Sequence, residues 1–182
     1  RSEKSIKVVG QTLIDMAKAA GVWISMDINL RHNLWPTGAA DASVVKHILA
    51  QAQILKFSKE EIDYLADKHD SAAYIQQLLQ QEAKLIVVTD GGEPVHCYTR
   101  EMSFSLPVPK VKIVDTTCGG DGFIGGLLYQ LSLTHSPQDQ LTELSNLQGI
   151  VDFAIRCGAH TVARPGAFPA LPRLSDLTST SS

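Results

Sequence analysis

The sequence has little of what defines several common protein classes. Its 182 residues contain three cysteines, at positions 97, 118 and 157, whose spacing matches neither a metal-binding motif nor a set of paired disulfides. No apolar run approaches the roughly 20 residues of a membrane-spanning helix. The net charge is −3 and there is no block of basic residues, so a nucleic-acid-binding surface is not indicated. We therefore expect a cytoplasmic protein with reduced thiols and with neither nucleic acid nor membrane as a partner.

Histidine, another common metal ligand, is also sparse. No two of the six histidines stand at the i, i+4 spacing of a helical zinc motif, so a zinc site is not expected. The first residues, R-S-E-K, lack the pattern of a signal peptide. A composition that is 44% hydrophobic and 19% charged is ordinary for a soluble globular protein, and the length suits one domain.

Helix-like and strand-like segments alternate along the chain. Helices are predicted over residues 6–20, 40–52, 71–81, 120–133 and 140–158, with another beginning at about 59, and strands over residues 22–28, 54–57, 85–89, 95–99 and 104–108, with a β-like stretch at 110–114. This alternation favours an α/β fold with a mostly parallel sheet, whose ligands bind beyond the carboxyl ends of the strands. Residues 1–173 are expected to form the domain and residues 174–182, rich in Ser and Thr, a polar tail.

The most informative segment is residues 115–123, with the sequence D-T-T-C-G-G-D-G-F. It leads into an apolar helix, and small residues at 118–120 let backbone N–H groups face outward at the first turn, where the helix dipole favours an anion. Asp121 lies in the same turn. An anion cradle beside a carboxylate suits phosphoryl transfer to a hydroxyl, since one part holds the phosphate and the other accepts the proton.

Two other interpretations of this segment stand beside that one. An Asp near a helix start is a common cap, and paired glycines commonly mark turns. Residues 120–125 also satisfy G-x-G-x-x-G, the dinucleotide-binding fingerprint. That fingerprint expects a following strand that ends in an acid, whereas residues 134–140 form a polar stretch that leads into another helix.

The same nine residues resemble the D-T-T-G-A-G-D-A-F signature of the ribokinase-like (PfkB) sugar kinases. Four further segments resemble that family in the same order, namely D-I-N-L-R with L-W-P at 27–36, K-F-S-K-E-E at 56–61, V-V-T-D-G at 87–91 and R-P-G-A-F-P-A-L-P at 164–172. The first of these is closest to bacterial fructokinases, and the likeness runs over nearly the whole chain.

The resemblance implies a ribokinase-like, three-layer α/β/α fold and ATP-dependent phosphorylation of a sugar hydroxyl, foremost fructose to fructose 6-phosphate. Another sugar, sugar-acid or nucleoside kinase is the alternative within the enzyme class. A non-catalytic homologue that serves as a binding or regulatory subunit is the alternative outside it. The cofactors implied are ATP and Mg²⁺, with K⁺ in some members of the family.

At residues 115–123 the resemblance gives Asp121 the role of general base and the N–H groups of Cys118, Gly119 and Gly120 that of an anion hole. Cys118 stands where Gly or Ala is usual, and Gly119 and Gly122 each replace an Ala, but all three residues are small. Cys118 either makes the site sensitive to oxidation or only fills space.

The remaining roles also come from the resemblance. Asn29 and Arg31 would contact sugar or phosphate, because a guanidinium suits phosphate oxygens, although Arg31 also fits an ordinary surface loop. Asp27 would order that loop. The residues implied at the ATP site are Ser58, Glu61, Thr89, Gly91, Ile155 and Gly158.

Several of these roles have a competing explanation. Ser58 and Glu61, the latter implied to lie near hydrated Mg²⁺, equally fit the capping box S-x-x-E. Ile155 stands where many relatives have Asn or His, which leaves an apolar wall for adenine. The cage of oxygens for a monovalent cation would come from Asp115, Thr117, Thr161, Arg164, Gly166 and Ala170.

The resemblance finally places an upstream part before the first residue. In the family that part carries the first strands, a sugar-binding Asp, a Gly-Gly pair and a β lid that is the usual dimer surface. We therefore expect the N-terminal strands and the lid to be missing from this chain, with a homodimer formed through that lid. We also expect the 182 residues alone to phosphorylate nothing, because sheet edges would be exposed.

Overall fold

The computed structural model describes residues 2–67, 70–134 and 136–178. Within these ranges the helices are α1 (Ser2–Ala19), α2 (Ala42–Leu49), α3 (Lys59–Leu65), α4 (Ser71–Gln80), α5 (Gly119–Ser132), α6 (Pro137–Gln140), α7 (Leu144–Val162) and α8 (Leu174–Thr178). The strands are β1 (Ser25–Asp27), β2 (Ile54–Ser58), β3 (Leu85–Thr89), β4 (Val95–Tyr98) and β5 (Ser103–Leu106). They form a mixed, mostly parallel sheet in the order β1-β2-β3-β4-β5, which confirms the predicted α/β fold. The chain divides into two units, Arg1–Ile86 and Val87–Ser182.

In the first unit, α1 ends where the sequence predicts, at Gly21. Gly21 has φ 65, and its N–H donates to the Lys18 carbonyl at 3.0 Å while the Val22 N–H donates to the Ala17 carbonyl at 2.9 Å. This pair of bonds is a Schellman cap, which favours glycine at the left-handed position. Because the cap uses the Val22 N–H, the chain cannot enter the sheet there.

The predicted buried strand over 22–28 was therefore too long. Only Ser25–Asp27 forms β1, and it is half-buried. It runs parallel to β2, with Ser25 opposite Ile54 and Asp27 opposite Lys56. At the far end the chain leaves the strand direction because Asn29 adopts φ 42.

The core of the first unit forms around β2, whose first four residues are all buried. Lys56 on this strand places its ammonium 3.0 Å from Oδ1 of Asp27, and both side chains are largely buried. The aliphatic and aromatic side chains that are almost completely buried in this unit are Leu49, Leu55, Phe57, Ile62, Leu65, Leu79, Leu85 and Ile86.

In the second unit, β4 and β5 pair antiparallel as predicted, with Cys97 opposite Phe104. The predicted helix over 140–158 had the wrong bounds, since α6 ends at Gln140 and α7 runs from Leu144 to Val162. Gly158 does not end this helix. A Cβ at Gly158 would lie 3.2 Å from the Gly119 carbonyl oxygen, so the missing side chain lets α7 continue along α5.

A further expectation for this unit was wrong. Residues 110–114 form no strand, and Ile113 and Val114 are at least half exposed, while the Val114 N–H donates to the Val162 carbonyl at 2.8 Å. The first residues of the segment expected to be a polar tail form α8, where the Leu177 carbonyl accepts a hydrogen bond from Nη1 of Arg156 at 2.9 Å. Residues 179–182 lie outside the described residues.

Candidate active site

The first turn of α5 is held in place by close packing against α7. A Cβ on Gly119 would come within 2.6 Å of a Val162 methyl carbon, and one on Gly122 within 2.4 Å of the Thr161 hydroxyl oxygen. One turn further, a Cβ on Gly126 would lie 2.6 Å from the Cys157 sulfur. These contacts are shorter than carbon, oxygen and sulfur atoms tolerate, so glycine is what lets the two helices approach.

The N-terminal turn of α5 offers free backbone donors. Its first helical hydrogen bond runs from the Gly122 N–H to the Cys118 carbonyl at 2.9 Å, and the Gly119 N–H donates to the Thr116 carbonyl at 3.3 Å. In the described part of the chain, the N–H groups of Gly120 and Asp121 donate to no protein acceptor. Of the predicted anion-hole donors, Gly119 is thus already engaged. The two free N–H groups, at the positive end of the helix dipole, suit an anion.

Asp121 is one of the residues that line a cavity of about 350 Å³. It is exposed, and among the described residues no donor reaches it. It does not cap α5, so the capping alternative has no support from the geometry. The rest of the lining is mostly apolar and consists of Gly122, Gly125, Gly126, Tyr129, Phe153, Cys157, Leu171, Pro172, Leu174 and Leu177.

Sequence reasoning missed most of this cavity. The sequence could have indicated that two lining residues lie side by side, since Phe153 and Cys157 stand at i, i+4 on α7 and therefore share a face of the helix. Tyr129 stacks on Phe153 with ring centroids 5.8 Å apart. The remaining wall, at Leu174 and Leu177, lies in a segment that was expected to be a tail.

Asp115 ties the loop before α5 to the segment after α7. Its Oδ1 accepts hydrogen bonds from the hydroxyl and the N–H of Thr117, the latter at 2.9 Å, and its Oδ2 accepts from the Gly166 N–H at 3.1 Å. The hydroxyl of Thr117 contributes most, followed by the two N–H groups, to lowering the pKa of Asp115 below its ordinary value. Three of the residues implied at the cation cage are thus brought together.

The other residues implied at that cage have local partners. The Thr161 hydroxyl donates to the Cys157 carbonyl at 2.8 Å, and the Thr161 carbonyl accepts from the Arg164 N–H at 3.2 Å. Ala170 is fully buried, and its N–H donates to the Ala167 carbonyl at 3.0 Å.

In the first unit, Ser58 and Glu61 form the predicted capping box at the start of α3. The Glu61 N–H donates to Oγ of Ser58 at 3.2 Å, and the Ser58 N–H donates to Oε2 of Glu61 at 2.8 Å. Oε1 of Glu61 accepts a third bond, from the Leu30 N–H at 3.0 Å. Asn29 and Arg31, on either side of Leu30, are exposed.

The remaining residues implied at the nucleotide site are more dispersed. Thr89 is the last residue of β3, and Gly91 follows it in a turn with φ 55. Ile155 is buried, and Gly158 faces the Gly119 carbonyl; neither lines the cavity. Ile155 lies two residues from both Phe153 and Cys157, so it points to another side of α7.

Within residues 2–67, 70–134 and 136–178, no three His, Cys, Asp or Glu side chains cluster closely enough to hold a metal ion. Over the same ranges, no helix is both long enough and apolar enough to cross a membrane.

Known proteins match this chain in sequence and in structure. Probable fructokinase-7 of Arabidopsis thaliana is 38% identical over 162 residues, which are 87% of this chain and 46% of the plant protein. The crystal structure of fructokinase with bound ATP from Xylella fastidiosa superposes with a TM-score of 0.90 at 38% identity, covering 94% of this chain and 55% of that one.

A fructokinase double mutant from Vibrio cholerae O395, in a form with fructose, ADP and potassium ion bound, gives a TM-score of 0.81 at 30% identity. This match covers 90% of this chain and 52% of the other. The chain thus spans about half the length of the relatives it matches. The family described as "pfkB family carbohydrate kinase" matches residues 2–174. These matches confirm the resemblance seen in the five sequence segments, and the chain belongs to the pfkB family of carbohydrate kinases.

Proposed function

We propose that the protein transfers the terminal phosphoryl group of ATP to a sugar hydroxyl, foremost converting fructose to fructose 6-phosphate. The observation that carries the proposal is Asp121, an exposed residue of the cavity lining whose carboxylate accepts no hydrogen bond from the described residues. A general base must be free to accept a proton, and a carboxylate used as a helix cap is not. The similarity to fructokinases of a plant and of two bacteria supports fructose as the substrate.

In the proposed reaction the backbone and the Asp121 side chain of the first α5 turn have different roles. The N–H groups of Gly120 and Asp121 bind the transferring phosphate, whose negative charge the helix dipole also stabilises. The Asp121 carboxylate accepts the proton of the sugar hydroxyl while the new oxygen–phosphorus bond forms. The bond between the β- and γ-phosphates breaks, and ADP leaves with the electron pair.

For the nucleotide we propose contacts from Thr89 and Gly91, which their position at the carboxyl end of β3 supports. Ile155 and Gly158 have less support, because Ile155 is buried and Gly158 packs on α5. Mg²⁺ would be held chiefly by the ATP phosphates and water, as is usual for this ion.

A monovalent cation remains a proposal for the loop where Asp115, Thr117 and Gly166 meet. The potassium ion in the Vibrio cholerae relative and the three converging residues support it. Turnover should fall when K⁺ is replaced by a tetraalkylammonium ion at the same ionic strength of the buffer, and unchanged turnover would refute this site.

The decisive test is Asp121→Asn in the complete protein, with ADP release followed over a panel of sugars. We expect kcat to fall by about 10²- to 10⁴-fold, because the amide cannot accept the proton. Asp139→Asn is the matched control, since Asp139 is an exposed acid in the first turn of α6 and does not line the cavity. If the Asp121 variant turns over like the control, Asp121 is not the base.

The sugar panel also separates the alternatives. A sugar, sugar acid or nucleoside that is phosphorylated faster than fructose would reassign the substrate, and a protein that phosphorylates none of them fits the regulatory homologue. A homodimer and a cytoplasmic location are further proposals that the family resemblance suggests. Sedimentation velocity and cell fractionation test them, and a monomer or an organellar protein would refute them.

A further inference from the structure

The loop that carries Asn29 and Arg31 has unusual backbone geometry. Asn29 has φ 42 and Arg31 has φ 44, although neither is a glycine. A non-glycine residue in this left-handed region costs of order 1–3 kcal/mol, and such residues persist only where their surroundings hold them. Two of them within three residues therefore require a strong local restraint.

That restraint acts on the residue between them. Leu30 is only 5% exposed, and its carbonyl accepts a hydrogen bond from Nε1 of Trp35 at 2.9 Å. Its N–H donates to Oε1 of Glu61 at 3.0 Å, across 31 residues of sequence. Leu30 is thus held by its side chain, its carbonyl and its N–H, while its two polar neighbours stay exposed.

Glu61 can hold this loop only if its own carboxylate is fixed in position. Its second carboxylate oxygen accepts the Ser58 N–H at 2.8 Å, which fixes the carboxylate to the start of α3. Hydrogen bonds from N–H groups to a charged carboxylate are stronger than those to a neutral acceptor. The carboxylate therefore joins the first turn of α3 to the loop, and each of its oxygens is already engaged with the backbone.

We propose that Glu61 is a positioning residue, which holds the strained loop so that Asn29 and Arg31 are presented to the phosphate or sugar. This inference rests on the proposed kinase function. It gives Glu61 a role through the loop, in addition to the place near hydrated Mg²⁺ that the family resemblance implies.

The experiment compares Glu61→Gln with Glu60→Gln in the complete protein. Glu60 is exposed in the same helical turn and undergoes the same change of charge, so it serves as the control. We expect Glu61→Gln to lower kcat/KM by about 10²-fold, as is typical when a binding group is misplaced by 1 Å. The loss should persist at saturating Mg²⁺, and hydrogen exchange at the Leu30 amide should accelerate in the ligand-free variant.

A double-mutant cycle with Arg31→Ala separates positioning from an independent role. If Glu61 works through Arg31, the combined variant should lose less than the product of the two single reductions. If Glu61→Gln melts at a lower temperature than the control, Glu61→Asp replaces it as the test variant. It keeps the charge but is one methylene too short to reach both N–H groups, so the Leu30 amide should again exchange faster.

Three results would overturn the inference: unchanged exchange at Leu30, activity restored by added Mg²⁺, or reductions that multiply independently. They are distinct from failure of the proposed function. A wild-type protein that phosphorylates no sugar refutes that function and this role with it. A wild type with full turnover and a Glu61→Gln variant that matches it refutes the positioning role alone.

Discussion

Two neighbouring glycines in α5 should respond differently to the same substitution. Gly125 is exposed, and a Cβ built on it meets no atom within 4 Å. Gly126 is buried, and its Cβ would lie 2.6 Å from the sulfur of Cys157 and 3.2 Å from Cα of Ala154. Both positions are inside a helix, where replacing glycine with alanine gains about 1 kcal/mol in intrinsic propensity.

The helix gain is common to both variants, so the difference between them measures packing alone. Gly125→Ala should raise the free energy of unfolding by about 1 kcal/mol. Gly126→Ala must move α7 or the Cys157 side chain, and overfilling a packed contact costs about 1–3 kcal/mol. The expected free energy of unfolding is therefore about 1–3 kcal/mol lower for Gly126→Ala than for Gly125→Ala.

Urea denaturation of the ligand-free protein, followed by circular dichroism, provides both values. The comparison is internal, so uncertainty in the absolute free energy of the wild type largely cancels. The reasoning is refuted if Gly126→Ala is as stable as Gly125→Ala, because the two helices would then not be in the close contact described.

Other predictions concern charged groups. Lys56→Met breaks the largely buried ion pair with Asp27 and should lower the free energy of unfolding by about 3–5 kcal/mol in urea denaturation; a loss below 1 kcal/mol would mean that the pair is effectively solvated. Burial, followed by the charge of Arg164, lowers the pKa of His160 from its ordinary 6.5. The unfolded chain therefore binds a proton at His160 more readily than the folded protein does. The contribution of His160 to the free energy of unfolding should be constant above pH 6.5 and should fall as the pH drops below it. Urea titrations across this range should show a shallower fall in His160→Gln, and identical slopes would contradict the reasoning.

Features that depend on neighbours in sequence could be predicted. Gly21 after an apolar helical pattern indicated the end of α1, and Ser58 with Glu61 indicated the start of α3. The start of α5 was predicted at 120 and lies at Gly119. Each of these helix ends depends on hydrogen bonds between residues that are close in sequence, and the tertiary contacts are compatible with them.

Features that depend on distant residues could not be predicted. The close approach of Gly158 to the Gly119 carbonyl of α5 is a contact between helices and not a property of the sequence around 158. The hydrogen bond from Leu30 to Glu61 joins residues 31 apart, and nothing in either segment alone indicates it. The interpretation of Asp121 as the base came from the family resemblance, since its position alone favoured a helix cap.

The bonds between the loop before α5 and the end of α7 have a consequence for the order of folding. Asp115 and Gly166, 51 residues apart, are joined by a hydrogen bond, and the Val162 carbonyl accepts from the N–H groups of both Val114 and Asp115. Closing so long a stretch of chain carries an entropic cost before any of these contacts can form. The α5 tip with its carboxylate should therefore be assembled late, once α7 has docked, and should be among the first parts lost when this unit opens locally.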